Sequence, residues 1–224
     1  MGIGWFIGLS VSSIILFVSY FILSKANYKK RFDSNFDLRN HFPYEFNYEA
    51  PFSLNILGNV ALILSVSFSV GFFALTAGSL KNNGFIIFSL ISGVLYSLFI
   101  GVMNFIPLKT MKLHMIFSIL LYVCSFVTPS AIGLGVFSIY KETKEVFPLI
   151  VFIASIVVTL FNFILIMNPR LTMNIKMQVA TDEKGNEIYI RPKYIMMAFT
   201  EWILSFDMAL SQILLILFMV IISK

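Results

Sequence analysis

Two carboxylic acids, Glu201 and Asp207, stand in the stretch IMMAFTEWILSFDMALSQ at residues 195–212, inside a run from Tyr194 to Ser223 that is otherwise free of charge. An acid in apolar surroundings can hold a proton or a cation, orient a histidine or bind a neighbouring helix. Ionised and unpaired near the middle of a bilayer, it costs at least ~2.5 kcal/mol. At about 100° per residue, Glu201, Ser205 and Gln212 share one stripe of a helix, and Thr200, Asp207 and Ser211 share a second, rotated by about 120°. A helix with two polar stripes has to meet protein on both. Glu201 lies near the start of the run beside Trp202, a residue typical of the membrane interface, and is expected to be hydrated there. Asp207 is deeper, about 20 Å from Tyr194 by helical rise, and must be paired, hydrated or protonated.

The residues available to partner Asp207 are His114, Asn104, Asn162 and Tyr122, because no lysine or arginine occurs inside any of the apolar runs. His114 opens a stripe with Ser118, Tyr122 and Ser125 at steps of four, four and three, which keeps them on one helical face; Ser155, Thr159 and Asn162 form another. Both faces are expected to look inward. Enzymatic constellations are thin. There is no helical His-Glu zinc pair, no glycine-rich phosphate loop and no G-x-S-x-G elbow, and His41 and His114 are the only histidines. No catalytic residue, metal ligand or cofactor is assigned on this basis. Cys124 is the single cysteine, so no intramolecular disulfide can form.

The elements that must position these residues are written in the composition. Of 224 residues, 58% are hydrophobic and 12% charged, and the mean hydropathy is +0.90. A soluble domain needs roughly a quarter of its residues charged. Residues 1–24, 82–108, 113–140 and 146–169 contain no Asp, Glu, Lys or Arg, and each exceeds the ~20 residues that cross a bilayer core. The expected fold is therefore all-α: one domain, 1–224, a polytopic bundle of six transmembrane helices at about 3–24, 53–77, 84–106, 113–139, 146–168 and 194–222. Pro51, Pro148 and Pro192 suit helix starts, and Pro107 and Pro169 suit helix ends. Pro129, in TPSAIGLG, is expected to kink or interrupt the fourth span.

Helices in lipid associate through small residues and mutual hydrogen bonds. Ser89, Gly93, Ser97 and Gly101 make an unbroken four-residue ladder on the third span, Gly4, Gly8 and Ser12 a shorter one on the first, and Ser65 with Ser69 another on the second. The first span lacks a basic residue ahead of it and a small-residue cleavage site after it, so it reads as a retained span. Residues 25–52 suit an interfacial loop rich in aromatics, and MQVATDEKGNEIYIR suits a hairpin around Gly185-Asn186; both read as solvated connections.

Lysine and arginine concentrate in the first, third and fifth connections (Lys25, Lys29, Lys30, Arg31, Arg39; Lys109, Lys112; Arg170, Lys176, Lys184, Arg191, Lys193). Lys81, Lys141, Lys144 and Lys224 lie on the other side. The positive-inside rule places the former in the cytoplasm. The net charge of +5 is accounted for by this asymmetry and by anionic headgroups, so nucleic acid is not an expected partner.

Two segments resemble a family. NFIPLKTMKLHMIF at 104–117 and AFTEWILSF at 198–206 are similar to the Phe-Pro turn with its helix-opening histidine, and to the Glu-Trp of the last helix, in the six-helix FRAG/DRAM/Sfk membrane proteins and their bacterial relatives. Pro107, His114, Glu201 and Trp202 occupy the matching positions. The resemblance implies a lipid-linked, non-enzymatic membrane role, and an orientation with both termini cytosolic, opposite to the charge rule. The leading expectation is action through membrane lipids or other membrane proteins, with Glu201 and His114 as the favoured polar pair. The rivals are a small transporter or channel with Asp207, Asn162 and Asn104 in its pathway, and an accessory subunit of a larger membrane complex.

Overall fold

The computed structural model describes residues 2–47, 52–79, 84–106, 110–169, 178–181, 187–190 and 194–223. It contains six long helices: α1 (Ile3–Phe32), α2 (Ile56–Ser79), α3 (Gly84–Met103), α4 (Met111–Thr143), α5 (Val146–Met167) and α6 (Met196–Ile222). Each is long and apolar enough to cross a membrane. The chain is thus an integral membrane protein of the all-α, six-helix kind. Two short strands, β1 (Gln178–Thr181) and β2 (Glu187–Ile190), pair antiparallel in the fifth connection, with Val179 opposite Tyr189. Pro51, Pro107, Pro192 and the turn Gly185-Asn186 lie outside the described residues. Pro148 sits in the first turn of α5, where a missing N–H costs nothing, and Pro169 lies just beyond its end.

Two helices outrun the expected boundaries. At 1.5 Å per residue, α1, with 30 residues, is about 45 Å long and exceeds a hydrocarbon core of ~30 Å. Its last turns carry Lys25, Lys29, Lys30 and Arg31 beyond the apolar segment. The 33-residue α4 ends where Lys144 adopts a left-handed conformation, φ 57°, and its N–H closes on Tyr140 O at 2.8 Å. That tight reversal sets α4 and α5 side by side.

Sequential neighbours pack as antiparallel pairs, and α6 inserts among them, touching α1, α3, α4 and α5. This position explains its two polar stripes. Thr200, Glu201, Ser205, Asp207, Ser211 and Gln212 are all buried, none more than 3% exposed. The exterior is apolar instead: Trp5, Ile15 and Ile22 on α1, Ile153, Val157 and Ile164 on α5, and many others are exposed. A protein in water hides such residues, whereas a lipid-facing wall needs them.

Small residues and hydroxyls hold the pairs together. The ladder on α3 receives α2: a Cβ placed on Gly93 meets the Phe73 ring, and one on Gly101 meets Val66 at 3.2 Å. Ser97 and Ser69 hydrogen-bond across the seam at 2.6 Å, while Ser65 Oγ and Ser13 Oγ each donate to the other's backbone carbonyl. Gln212 ties two helices, α1 and α2, to α6, accepting from Ser10 Oγ at 2.9 Å and donating to Ser69 Oγ at 2.7 Å, with Ser13 Oγ at 3.5 Å. The ladder on α1 behaves differently. Gly4 and Gly8 are exposed, and a Cβ on either meets nothing within 4 Å. They face outward into a groove of about 560 Å³ with Trp5, Ser12 and Phe68, so they do not pack this bundle.

Pro129 does not interrupt α4, which is helical throughout. The proline removes the donor to the Ser125 carbonyl. That carbonyl is instead bonded by Asn162 Nδ2 of α5 at 2.8 Å. Thr128 Oγ1 donates to Cys124 O, and Ser130 Oγ to Phe126 O, so hydroxyls reinforce the neighbouring turns. The cost of the break is met from side chains.

Candidate functional site

The first connection is not a solvated loop. After α1 the chain turns at Asp37–His41, where Arg39 donates to the Asp37 carboxylate and holds that acid below its usual range. It then runs back under the end of the bundle through a short 3-10 helix, Pro43–Asn47. Phe36, Phe42, Tyr44 and Phe46 are buried, Phe36 stacks on Phe46 with centroids 4.0 Å apart, and Glu45 Oε1 accepts from Phe42 N at 2.8 Å. Trp202 Nε1 donates to His41 O at 2.9 Å, and Ile195 N to Arg39 O at 2.7 Å. These bonds fasten the segment to the start of α6 as an aromatic plug.

Beneath the plug lie Glu201 and His114. Helix α4 begins one turn before His114, and the connection after α3 supplies the carbonyl of Ile106, which takes His114 Nδ1 at 3.0 Å. A carbonyl only accepts, so Nδ1 carries a hydrogen. Nε2 then faces Glu201 Oε1 at 3.1 Å, and one proton lies between them whichever atom owns it. Ser118 Oγ adds a contact to Glu201 Oε1 at 2.9 Å. Phe42 and Tyr44 present their rings to His114 at 5.6 Å. Glu201 is 1% exposed and Trp202 also 1%, so the expected interfacial hydration is replaced by burial under the plug. Glu201 Oε2 and the neighbouring Tyr122 hydroxyl are buried with no hydrogen-bond partner among the described residues.

Two turns deeper, Asp207 Oδ2 accepts from Asn162 Nδ2 at 2.7 Å. Of the four partners open to it, Asn162 is the one it meets. His114 is committed to Glu201, and Asn104 belongs to a separate network: it accepts from Tyr20 OH, donates to Ile100 O at 2.7 Å, and its carbonyl accepts from Asn47 at 3.1 Å. Asn104 therefore does not stand beside Asp207 and Asn162 in a common pathway. Asp207 Oδ1, Asn162 Oδ1 and Ser211 Oγ are buried without a partner among the described residues. Ser205, by contrast, donates back to Glu201 O at 2.7 Å.

The candidate site is thus a column between α4, α5 and α6. Glu201, Tyr122, Asn162, Asp207 and Ser211 supply oxygens over about 15 Å of helical rise. Among the described residues no lysine or arginine is buried to balance the two acids, and no three of His, Cys, Asp and Glu converge on a metal-sized space. Such a column can hold and pass protons or bind a small cation. Sequence reasoning missed Tyr20, Tyr96 and the plug residues. The carbonyl bared by Pro129 was traceable by counting four residues back.

Searched against models of protein families, curated proteins and solved structures, the chain matches none of them.

Proposed function

We propose that this membrane protein carries a proton or a small cation along the column between α4, α5 and α6. The observation that supports this reading is the run of buried oxygens without donors, two of them on acids that no buried Lys or Arg neutralises among the described residues. Packing alone does not call for such atoms, since each unsatisfied buried oxygen costs about 1–3 kcal/mol. The His114–Glu201 pair, holding one proton at the plugged end, is the relay nearest the first connection. The plug then acts as the barrier that opens when the pair is served.

The test is flux into proteoliposomes, read with a pH-sensitive dye and with a sodium-sensitive dye. Wild-type protein is expected to pass one of the two ions, and Asp207→Asn to slow it at least about tenfold, the loss of a single charged contact in the path. Flux no greater than in protein-free vesicles, or unchanged in Asp207→Asn, overturns the reading.

A lipid-linked role, which the family resemblance implies, has a separate support. The groove lined by Gly4, Trp5, Gly8, Ser12 and Phe68 opens on the outer surface of the bundle and is mostly apolar, as an acyl chain requires. Ordered acyl density in that groove, together with flux indifferent to Asp207→Asn, favours this role over the first.

A further inference from the structure

Pro129 does more than spare α4 a hydrogen bond. Because Ser125 O has no helical donor, it fixes the amide of Asn162: the nitrogen must face that carbonyl, since an oxygen there puts two acceptors together. The second amide hydrogen goes to Asp207 Oδ2 at 2.7 Å. Both donors of Asn162 are then used. Two acceptors are left, Asn162 Oδ1 and Asp207 Oδ1, on side chains 0% and 3% exposed, and neither has a donor among the described residues. Ser211 Oγ, one turn along the same stripe of α6, is buried and unpartnered as well.

The groups around them decide what guest fits. From α3, Tyr96 lies close enough to Asp207 to interact with it electrostatically, but its hydroxyl is donated to Leu204 O. From α4 come Ser125, whose hydroxyl is donated to Tyr122 O, and Cys124, a buried thiol. On α1 and α2, Ser10, Ser13 and Ser69 are engaged by Gln212. None of these is a base or a cation. A neutral guest supplies hydrogens and leaves the charge of the acid unbalanced, whereas a positive guest answers both needs.

We propose that Asp207 and Asn162, held in place by the carbonyl that Pro129 bares, form a binding site for a monovalent cation, an alkali ion or a proton on the same oxygens. The proposal rests on the reading above in treating Asp207 as the working group, but it requires binding only and no movement.

The experiment is thermal unfolding of the full chain in mild detergent. Sodium chloride is exchanged for N-methyl-D-glucamine chloride at constant ionic strength, at one alkaline and one mildly acidic pH. A ligand that binds the folded state raises the midpoint. A rise that follows sodium at fixed pH identifies the alkali ion, and a rise that follows acidity at fixed sodium identifies the proton; either supports the site if it disappears in Asp207→Asn. Asn162→Leu is expected to weaken the dependence about tenfold. Pro129→Ala, which returns a helical donor to Ser125 O and frees the Asn162 amide, weakens it in the same direction without threatening the helix. A midpoint indifferent to both ions, or a response that Asp207→Asn retains in full, overturns the site. Binding without flux leaves the site standing and removes the carrier reading; flux without binding at Asp207 does the reverse.

Discussion

Glu201→Leu is expected to destabilise the folded bundle by about 3–5 kcal/mol, because it strips a buried partner from a group that cannot move to water. His114 is 0% exposed, its Nδ1 stays on Ile106 O, and its Nε2 is left facing hydrocarbon. Ser118 Oγ loses the same oxygen. Glu201→Gln keeps a polar partner for Nε2, its amide N–H donating to that ring nitrogen, and is expected to cost only about 1 kcal/mol, the difference between a charge-assisted and a neutral hydrogen bond. The double replacement His114→Leu with Glu201→Leu removes both polar ends together, so its loss falls well short of the sum of the single losses. Reversible unfolding in mild detergent measures all four proteins. Trp202, which bonds the plug through His41 O, reports the place of the damage, and a red-shifted emission in Glu201→Leu before global unfolding is the expected sign that the plug has loosened. A Glu201→Leu protein as stable as wild type within about 0.5 kcal/mol shows that the pair adds nothing to the fold.

This arrangement was partly legible in the residues themselves. The stripes on α6 follow from helical geometry alone, so contact with protein on both faces could be read before any neighbour was known, but the depth at which Glu201 is buried could not, because Trp202 beside it pointed to a hydrated interface. The partner of Glu201 could be narrowed to one of two histidines. The partner of Asp207 could not, since four polar residues sat at workable positions and only the packing of α5 against α4 selects Asn162. The plug was illegible for a related reason. Its mix of aromatics and charges is what an interfacial segment also carries, and the contact that ties it to the bundle, Trp202 on His41 O, joins residues whose proximity has no signature in the chain. Pro129 shows the limit from the other side. The missing N–H is certain from sequence, but whether a helix bends or is repaired depends on a donor from another helix.

The two glycine ladders make the same point, and one of them yields a second large effect. Gly4–Gly8 and Gly93–Ser97–Gly101 share a four-residue step, yet α1 leaves its glycines in open space while α3 presses one of them on Phe73 of α2. Phe73 is 0% exposed and packs edge-on against Phe72 at 5.2 Å, so its ring has no free volume to enter. Gly93→Val is therefore expected to push α2 away from α3 and to cost about 3 kcal/mol, the upper part of the range for overpacking a dense core, with little relief from helix propensity because valine is itself a poor helix former. The same displacement stretches the Ser69–Ser97 hydrogen bond one turn away, and with it the anchor of Gln212. Gly101→Ala meets only Val66 Cγ2, at 3.2 Å, and the gain of up to ~1 kcal/mol from replacing a helical glycine offsets that small clash. Gly4→Val on the outward ladder is expected to leave stability unchanged within about 0.5 kcal/mol. Unfolding midpoints of the three variants, compared in one detergent, separate the cases: a Gly93→Val protein no weaker than Gly4→Val means that α2 does not lie in the α3 groove.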